Sequence, residues 1–395
     1  MWKFLCIVLA LSPTYLLRFH VAGIPFTVFE ILILILVAAE IVTVVQAPKE
    51  KIQRLQKIPR AIKIAVGLFI IAGIISIFVA PNLMAAAGIF RAYILEALVV
   101  GGVAFLEYKN SHQLKELAAA ASVPVFLVSV YAIFQMITGW GIPNSYWAAP
   151  ATRRATSVFG YPNAIGLYVE FLIPFLIVAG YLEQKKMRVW FWGVTFLAII
   201  AFLCGKSAGA SAAVFGTALI YLLVWKKTRA KVAIGILFCT ILIAITPLRT
   251  PFAKQFLFQG FSGGLRIQMW KETAQLLQQR PLVGAGLAGY ETRVAPFHTN
   301  KHVEIYLYPH NLILTLWSEL GLLGLLSFSF IFGYTVWRLA HIKFISFEEN
   351  AWRLALLAVF CTLFIHGIVD IPYFKNDFAA WYWVIVALSM GLLVY

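Results

Sequence analysis

The sequence predicts an all-α protein that crosses a membrane many times, about twelve helices in all. Three observations carry this. Of 395 residues, 62% are hydrophobic and only 12% are charged, about half the charged share of a soluble domain. Apolar runs of the length a hydrocarbon core needs, about 20 residues for about 30 Å, recur from one end of the chain to the other. Short basic loops separate them. The length would suit two or three soluble domains, but this alternation predicts one transmembrane domain over 1–395, with 248–310 as a large external loop carrying short helices before the tenth span.

The runs lie near 3–19, 24–46, 64–80, 90–107, 118–138, 163–182, 189–205, 208–225, 232–247, 311–337, 351–369 and 378–395. The first has only Lys3 ahead of it and no small-residue cleavage site behind it, so it reads as a retained span. The eighth follows the seventh almost without a linker, which predicts a tight helical hairpin around Gly205–Ser211. Cys6, Cys204, Cys239 and Cys361 all fall in or beside apolar runs. With no CxxC pair they read as small buried hydrophobes, and no disulfide framework or zinc site is indicated.

A net charge of +16 raises nucleic acid as a partner, and the placement of the charge argues against it. The basic residues collect in the loops 49–63, 107–117, 183–188, 226–231 and 338–343. With twelve spans these five fall on one side together with both termini, and the positive-inside rule makes that side cytoplasmic. The opposite face then receives the 81–89 turn, the 139–162 loop, the hairpin tip at 205–210, the 247–310 loop and the 370–377 turn.

These external segments hold the chemistry. The 139–162 loop ends in Arg153 and Arg154 shortly before Gly160-Tyr161-Pro162-Asn163, where the proline and asparagine read as a turn and a helix cap. Two arginines on the external side run against the topology bias, and a guanidinium fork suits phosphate; contact with lipid headgroups is the plainer reading. Lys206 at the hairpin tip reads as a membrane anchor or a phosphate contact. Its Gly-Lys-Ser is no P-loop, since Ile200 stands where the first glycine is required. In the long loop, Leu265, Met269, Leu276 and Leu277 mark one side of a short helix ended by Pro281. Arg266 stands in its first turn after Ser262-Gly263-Gly264, one turn from Trp270. Free amides at a helix start beside a guanidinium suit an anion, whereas an amphipathic interfacial helix with a snorkelling arginine needs no ligand.

Gly-Ala-Gly-Leu-Ala-Gly (284–289) follows no strand, so it reads as a turn and not as a dinucleotide loop. His298 and His302, with Glu304 and His310, raise a metal site, but no helical signal spans the histidine pair and no further carboxylates gather there. His310 is the sharpest single residue. Set between Pro309 and Asn311 at the lip of a long apolar span, its imidazole is placed to take a proton from a hydroxyl at the water boundary. Glu319 is an intramembrane carboxylate in need of a partner, and Asp370, beside Pro372, poses a similar question.

Taken in order, several blocks resemble the O-antigen ligase and O-antigen polymerase superfamily. They are an arginine before Gly-Tyr-Pro-Asn (Arg153 or Arg154), the small-residue Lys206-Ser207-Ala208-Gly209 hairpin, GLRIQMW opening the external loop, PLVGAGLAGY, and YPHNLILTLWSELGLLGLL. The closing HGIVDIPYFKND block is similar to segments of bacterial members. One departure stands out: members often carry Ser-Arg-Gly at the hairpin tip, where this chain has Ser207-Ala208-Gly209, with Lys206 adjacent to supply a charge. The resemblance implies metal-independent, inverting transfer of a glycan from a polyprenyl diphosphate carrier to an acceptor hydroxyl of a lipid, protein or glycan, at the external face and with no cofactor. It implies His310 as general base and Arg266 as a catalytic cation. Arg153, Arg154, Lys206 and Arg91 become candidates for the diphosphate, with Tyr308, Asn311, Trp270 and Glu319 in support. A lipid-glycan flippase would instead place polar residues mid-membrane on broken, repeated helices, and a non-catalytic assembly protein would tolerate changes at His310 and Arg266.

Overall fold

A computed structural model describes residues 1–21, 23–224, 230–231, 233–236, 258–300, 302–342 and 346–392. The helices used below are α1 Trp2–Ala10, α2 Val28–Gln46, α3 Pro48–Gln56, α4 Arg60–Val79, α5 Leu83–Glu107, α6 His112–Thr138, α7 Asn163–Leu182, α8 Lys185–Gly205, α9 Ala208–Val224, α10 Phe261–Gln279, α11 Leu312–His341, α12 Phe347–Gly367 and α13 Asn376–Leu392. Among the described residues, eight helices (α2, α4, α5, α6, α7, α8, α11 and α12) are long and apolar enough to cross a membrane. The expected span at 232–247 lies almost wholly outside the described residues, as do most of the basic loop at 226–231 and the start of the external loop at 248–257.

The first expected span takes a different form. Its helix stops at Ala10, a 3-10 turn with Pro13 in its first positions follows, and Arg18–Val21 then pairs antiparallel with Ile24–Thr27. Nine helical residues reach about 14 Å at 1.5 Å each, under half of a hydrocarbon core. The run 3–19 is therefore not one continuous transmembrane helix. The hairpin ends in Thr27, which with Glu30 forms a capping box that starts α2.

The last expected span becomes the centre of the molecule. Every residue of α13 from Asp377 to Leu392 is buried, as expected for a helix apolar all round. Glycines let it approach its neighbours: a Cβ at Gly101 of α5 would lie 2.8 Å from the Trp383 carbonyl oxygen. Around it, the basic segments meet at one end of the bundle. Lys51 pairs with Glu40 at 2.8 Å and with Glu107, Arg54 donates to the Leu106 carbonyl at 2.6 Å, and Lys115 pairs with Glu348 at 3.1 Å. Those contacts mark the end of α5 and the start of α12. The segments read as external join the opposite ends of the same helices.

Part of the loop read as external dips back into the bundle. The 282–288 stretch is stitched between α4 and α11 by Ala285 N–H to Ser318 O (2.6 Å), Leu322 N–H to Leu282 O (2.9 Å), Leu287 N–H to Ser76 Oγ (2.9 Å) and Ala288 N–H to Glu319 Oε2 (2.7 Å). Gly284 and Gly286 adopt φ of +63° and +86°, which only a residue without Cβ takes freely. Glu319 thus finds its partner in a backbone amide and serves the loop. Beyond it Leu276, Ala285, Tyr290 and Val294 form a small core of their own.

Candidate functional site

The site is assembled from four helix ends. Asn311 starts α11: its side-chain oxygen accepts from Leu314 N–H at 3.0 Å, and its amide nitrogen donates to Ile368 O at 2.9 Å. This cap fixes the residue before it. His310 has φ of +49°, a left-handed conformation uncommon outside glycine, and held strain of this kind collects at functional sites. Trp270 of α10 holds the preceding residue, with Nε1 donating to Pro309 O at 3.0 Å.

Held this way, the His310 ring places Nδ1 3.0 Å from Oδ1 of Asp370. Asp370 lies just past the end of α12, is buried, and also accepts Ile371 N–H at 2.9 Å. Burial by itself would raise its pKa. The hydrogen bond and charge of His310, with the charges of His366 and Arg266, outweigh burial and hold the carboxyl well below its usual range. The carboxylate consequently fixes the proton of a neutral His310 on Nδ1. Nε2, which carries no proton in that neutral form, has no hydrogen-bond partner among the described residues, on a side chain that is 28% exposed.

Two guanidinium groups flank this pair. Nε of Arg266 donates to Val369 O at 2.7 Å, and Nη1 donates to Ser262 Oγ at 2.5 Å. Arg154 donates from Nε to Gly205 O at 3.0 Å and from Nη2 to Asn163 Oδ1 at 2.9 Å. The Asn163 amide nitrogen in turn lies 3.5 Å from Asp370 Oδ2, so one chain of contacts runs from Arg154 to His310. Among the described residues, Nη2 of Arg266 and Nη1 of Arg154 make no hydrogen bond, which leaves each fork a free donor. Exposed Lys206 adopts φ of +48° at the hairpin tip, and its carbonyl accepts from Arg154 Nη2 at 3.3 Å.

Packing explains why these loops converge. Gly205 allows the end of α8 to meet the Gly-Tyr-Pro-Asn turn, since a Cβ there would sit 2.9 Å from Pro162 O. Gln135 of α6 anchors the 139–162 loop by accepting from the amides of Thr156 and Ser157 and donating to Gly141 O and Ser157 O.

His310, Arg266, Arg154, Asn311, Trp270 and the Lys206 backbone therefore belong to one connected group. Other candidates make their contacts elsewhere. Arg153 binds the carbonyls of Met136, Ile137 and Ala148 and closes the end of α6. Arg91 is paired with Glu30 and Glu96 at 3.0 and 3.4 Å. Tyr308 packs on Phe374, and Glu319 holds the 284–289 turn. Arg266 is also not where the sequence put it: α10 begins at Phe261, a turn early, so its fork faces Val369 instead of a helix start. Asn163 spends its side chain on Arg154 and Asp370 and caps nothing.

His298 faces an acceptor at each ring nitrogen, Glu272 Oε2 3.1 Å from Nδ1 and Val303 O 3.0 Å from Nε2. Among the described residues no group of three potential metal ligands gathers. One further cation stands near: the Lys375 ammonium lies 4.9–5.5 Å from the ring centres of Tyr15, Phe159, Tyr161 and Phe378, and burial lowers its pKa.

Comparison with curated proteins yields no match. The O-antigen ligase family model matches residues 193–329, a stretch that holds Lys206, Arg266, His310 and the 282–288 turn. Over that stretch the protein, a chain of many apolar helices, is similar to the O-antigen ligase family.

Proposed function

We propose that the protein is a glycosyltransferase that moves a glycan from a polyprenyl diphosphate carrier to an acceptor hydroxyl. The observation that carries this is His310, with Nδ1 committed to Asp370 and Nε2 open, beside two guanidinium groups that each keep a free donor. Nε2 takes the proton of the acceptor hydroxyl as its oxygen attacks the anomeric carbon. The bond from that carbon to the diphosphate oxygen breaks on the opposite side, which inverts the centre. The electron pair leaves on the diphosphate, where Arg266 and Arg154 meet the developing charge and exposed Lys206 adds to the local field. Such preorganised cations are often the largest catalytic contribution.

The basic loops gather at the other end of the helices, which by the positive-inside rule supports a site on the external face of a bacterial plasma membrane. The polyprenyl tail lies along the apolar helices. Acceptors of two kinds fit: a lipid core or protein, giving a single transfer, or a second carrier-linked glycan, giving a polymer.

The test is incubation of purified protein with a carrier-linked glycan and alternative acceptors, with products separated by size. One transfer product indicates ligation and a ladder of lengths indicates polymerisation. Failure to consume the carrier-linked glycan with any acceptor removes the transferase reading.

A further inference from the structure

Behind Asp370, on the side away from the open Nε2 of His310, a second pair of titratable groups is buried. His366 stands in the last turn of α12 and Glu170 in α7. Nδ1 of His366 lies 2.6 Å from Oε1 of Glu170, and the two side chains are 1% and 0% exposed. Nε2 of His366 is 3.9 Å from Oδ2 of Asp370, the oxygen that His310 does not use. Among the described residues neither that nitrogen nor Glu170 Oε2 has a hydrogen-bond partner. Burying such a pair is expensive, and a hydrophobic pair of equal size would serve packing as well. Ionisable groups inside membrane helices are in general retained for function.

The neighbouring hairpin is shaped around this ring. A Cβ at Gly209 would lie 2.7 Å from His366 Nε2, so α9 brings only a glycine against it. The charged groups that face His366 are then Glu170 from α7, Asp370 from its own turn and Arg266 from α10, with His310 one step further through Asp370. Spacing alone puts His366 and Asp370 on one side of a helical turn at i, i+4.

We propose that Glu170 and His366 are positioning residues for the Asp370–His310 pair, an inference that rests on His310 acting as the base. Glu170 holds the imidazole by Nδ1 so that Nε2 aims at Oδ2 of Asp370, the oxygen that also faces the Asn163 amide. A shift of about 1 Å brings that contact to hydrogen-bond length. With Oδ2 held, Oδ1 stays directed at His310 while His310 passes from neutral to cationic during transfer. No proton travels along the chain: the acceptor's proton remains on His310 until it is released to water.

The test uses initial rates of the purified full chain with carrier-linked glycan, across pH, for Glu170→Gln, His366→Gln and Gly209→Ala. Glu170→Gln keeps the size and an acceptor oxygen, and carries the test if His366→Gln does not fold. Gly209→Ala keeps every titratable group and only displaces the ring. Each should lower kcat about ten- to hundredfold, the cost of a small misplacement, with donor KM within about twofold and a moved acid limb of the kcat profile. On a His310→Ala background the same changes should add nothing. Folded Glu170→Gln and His366→Gln proteins with wild-type kcat and pH profile would overturn the proposal. So would a loss that persists in full on the His310→Ala background. Should His310→Ala itself retain wild-type activity, the base assignment fails; if it is impaired while Glu170→Gln and His366→Gln are not, only the positioning role fails.

Discussion

Replacing Asp370 by asparagine isolates one contribution to the proposed chemistry, the negative charge behind His310. The change keeps size and shape. Oδ1 of Asp370 accepts from both His310 Nδ1 at 3.0 Å and Ile371 N–H at 2.9 Å, so the asparagine must turn its carbonyl oxygen that way. Its NH₂ group then occupies the Oδ2 position, facing the amide of Asn163, where the wild-type contact is 3.5 Å. The preferred tautomer of His310 survives and the charge that stabilises its cation does not. A hydrogen bond to a charged group contributes about 1.5–3 kcal/mol, so its loss in the transition state corresponds to about a ten- to hundredfold fall in kcat. That is shallower than the loss of the base itself, about 10²–10⁴. The assay is the initial rate of glycan transfer by purified protein at saturating donor. Because the Asp370 carboxyl is held below its usual range, its charge is present above the ordinary aspartate pKa and fades only as pH falls below about 4. The deficit should therefore be constant through the neutral range. An Asp370→Asn protein with wild-type kcat would refute the role given to the carboxylate.

Three further outcomes are expected. Arg266→Ala should lose about 10²–10³ in rate. Arg266→Lys should recover only part of it, because a compact ammonium lacks the planar fork that reaches Val369 O from Nε and Ser262 Oγ from Nη1; full recovery in the transfer assay would reduce Arg266 to a generic charge. Gly321→Ala should destabilise the fold by roughly 1–3 kcal/mol, since Gly321 has φ of +69° and ψ of −177° and a Cβ would be driven into Leu282 O; an unchanged thermal unfolding midpoint in detergent would contradict this. The His298–Glu272 contact should loosen as pH rises. Its hydrogen bond to Glu272 outweighs burial and raises the His298 pKa, so its stabilisation is full below about pH 6.5 and lost as pH climbs through the raised value. Exchange protection over 298–300 and 302–305, corrected for the intrinsic pH dependence of amide exchange, should fall as pH rises above about 6.5, and Glu272→Gln should remove that fall.

Much of the frame was legible in the sequence because lipid imposes a length on apolar helices. The ends of α6 at Thr138, α7 at Asn163 and the α8–α9 hairpin fall where the runs and turn residues put them. The first run misled because hydropathy does not register the Pro13 turn or the strand pairing of Arg18–Val21 with Ile24–Thr27. In the site, His310 and Arg266 announce themselves as polar residues at the lip of apolar segments. Asn163 did not, since Pro-Asn before a helix has a sufficient explanation as a turn and cap. Glu170 and His366 lie 196 positions apart, and pairing at that separation is set by tertiary packing. The one local signal was the i, i+4 spacing of His366 and Asp370 in the closing block. Arg153 and Arg154 look equivalent side by side, and only the fold separates them, turning one to the end of α6 and the other to Asn163.

His310→Ala, assayed for transfer from a carrier-linked glycan with thermal unfolding as the folding control, tests the account most directly. The expected protein inserts and unfolds like the wild type and transfers glycan about 10²–10⁴ times more slowly. Turnover at the wild-type rate by that variant would contradict the placement of the reaction at this imidazole.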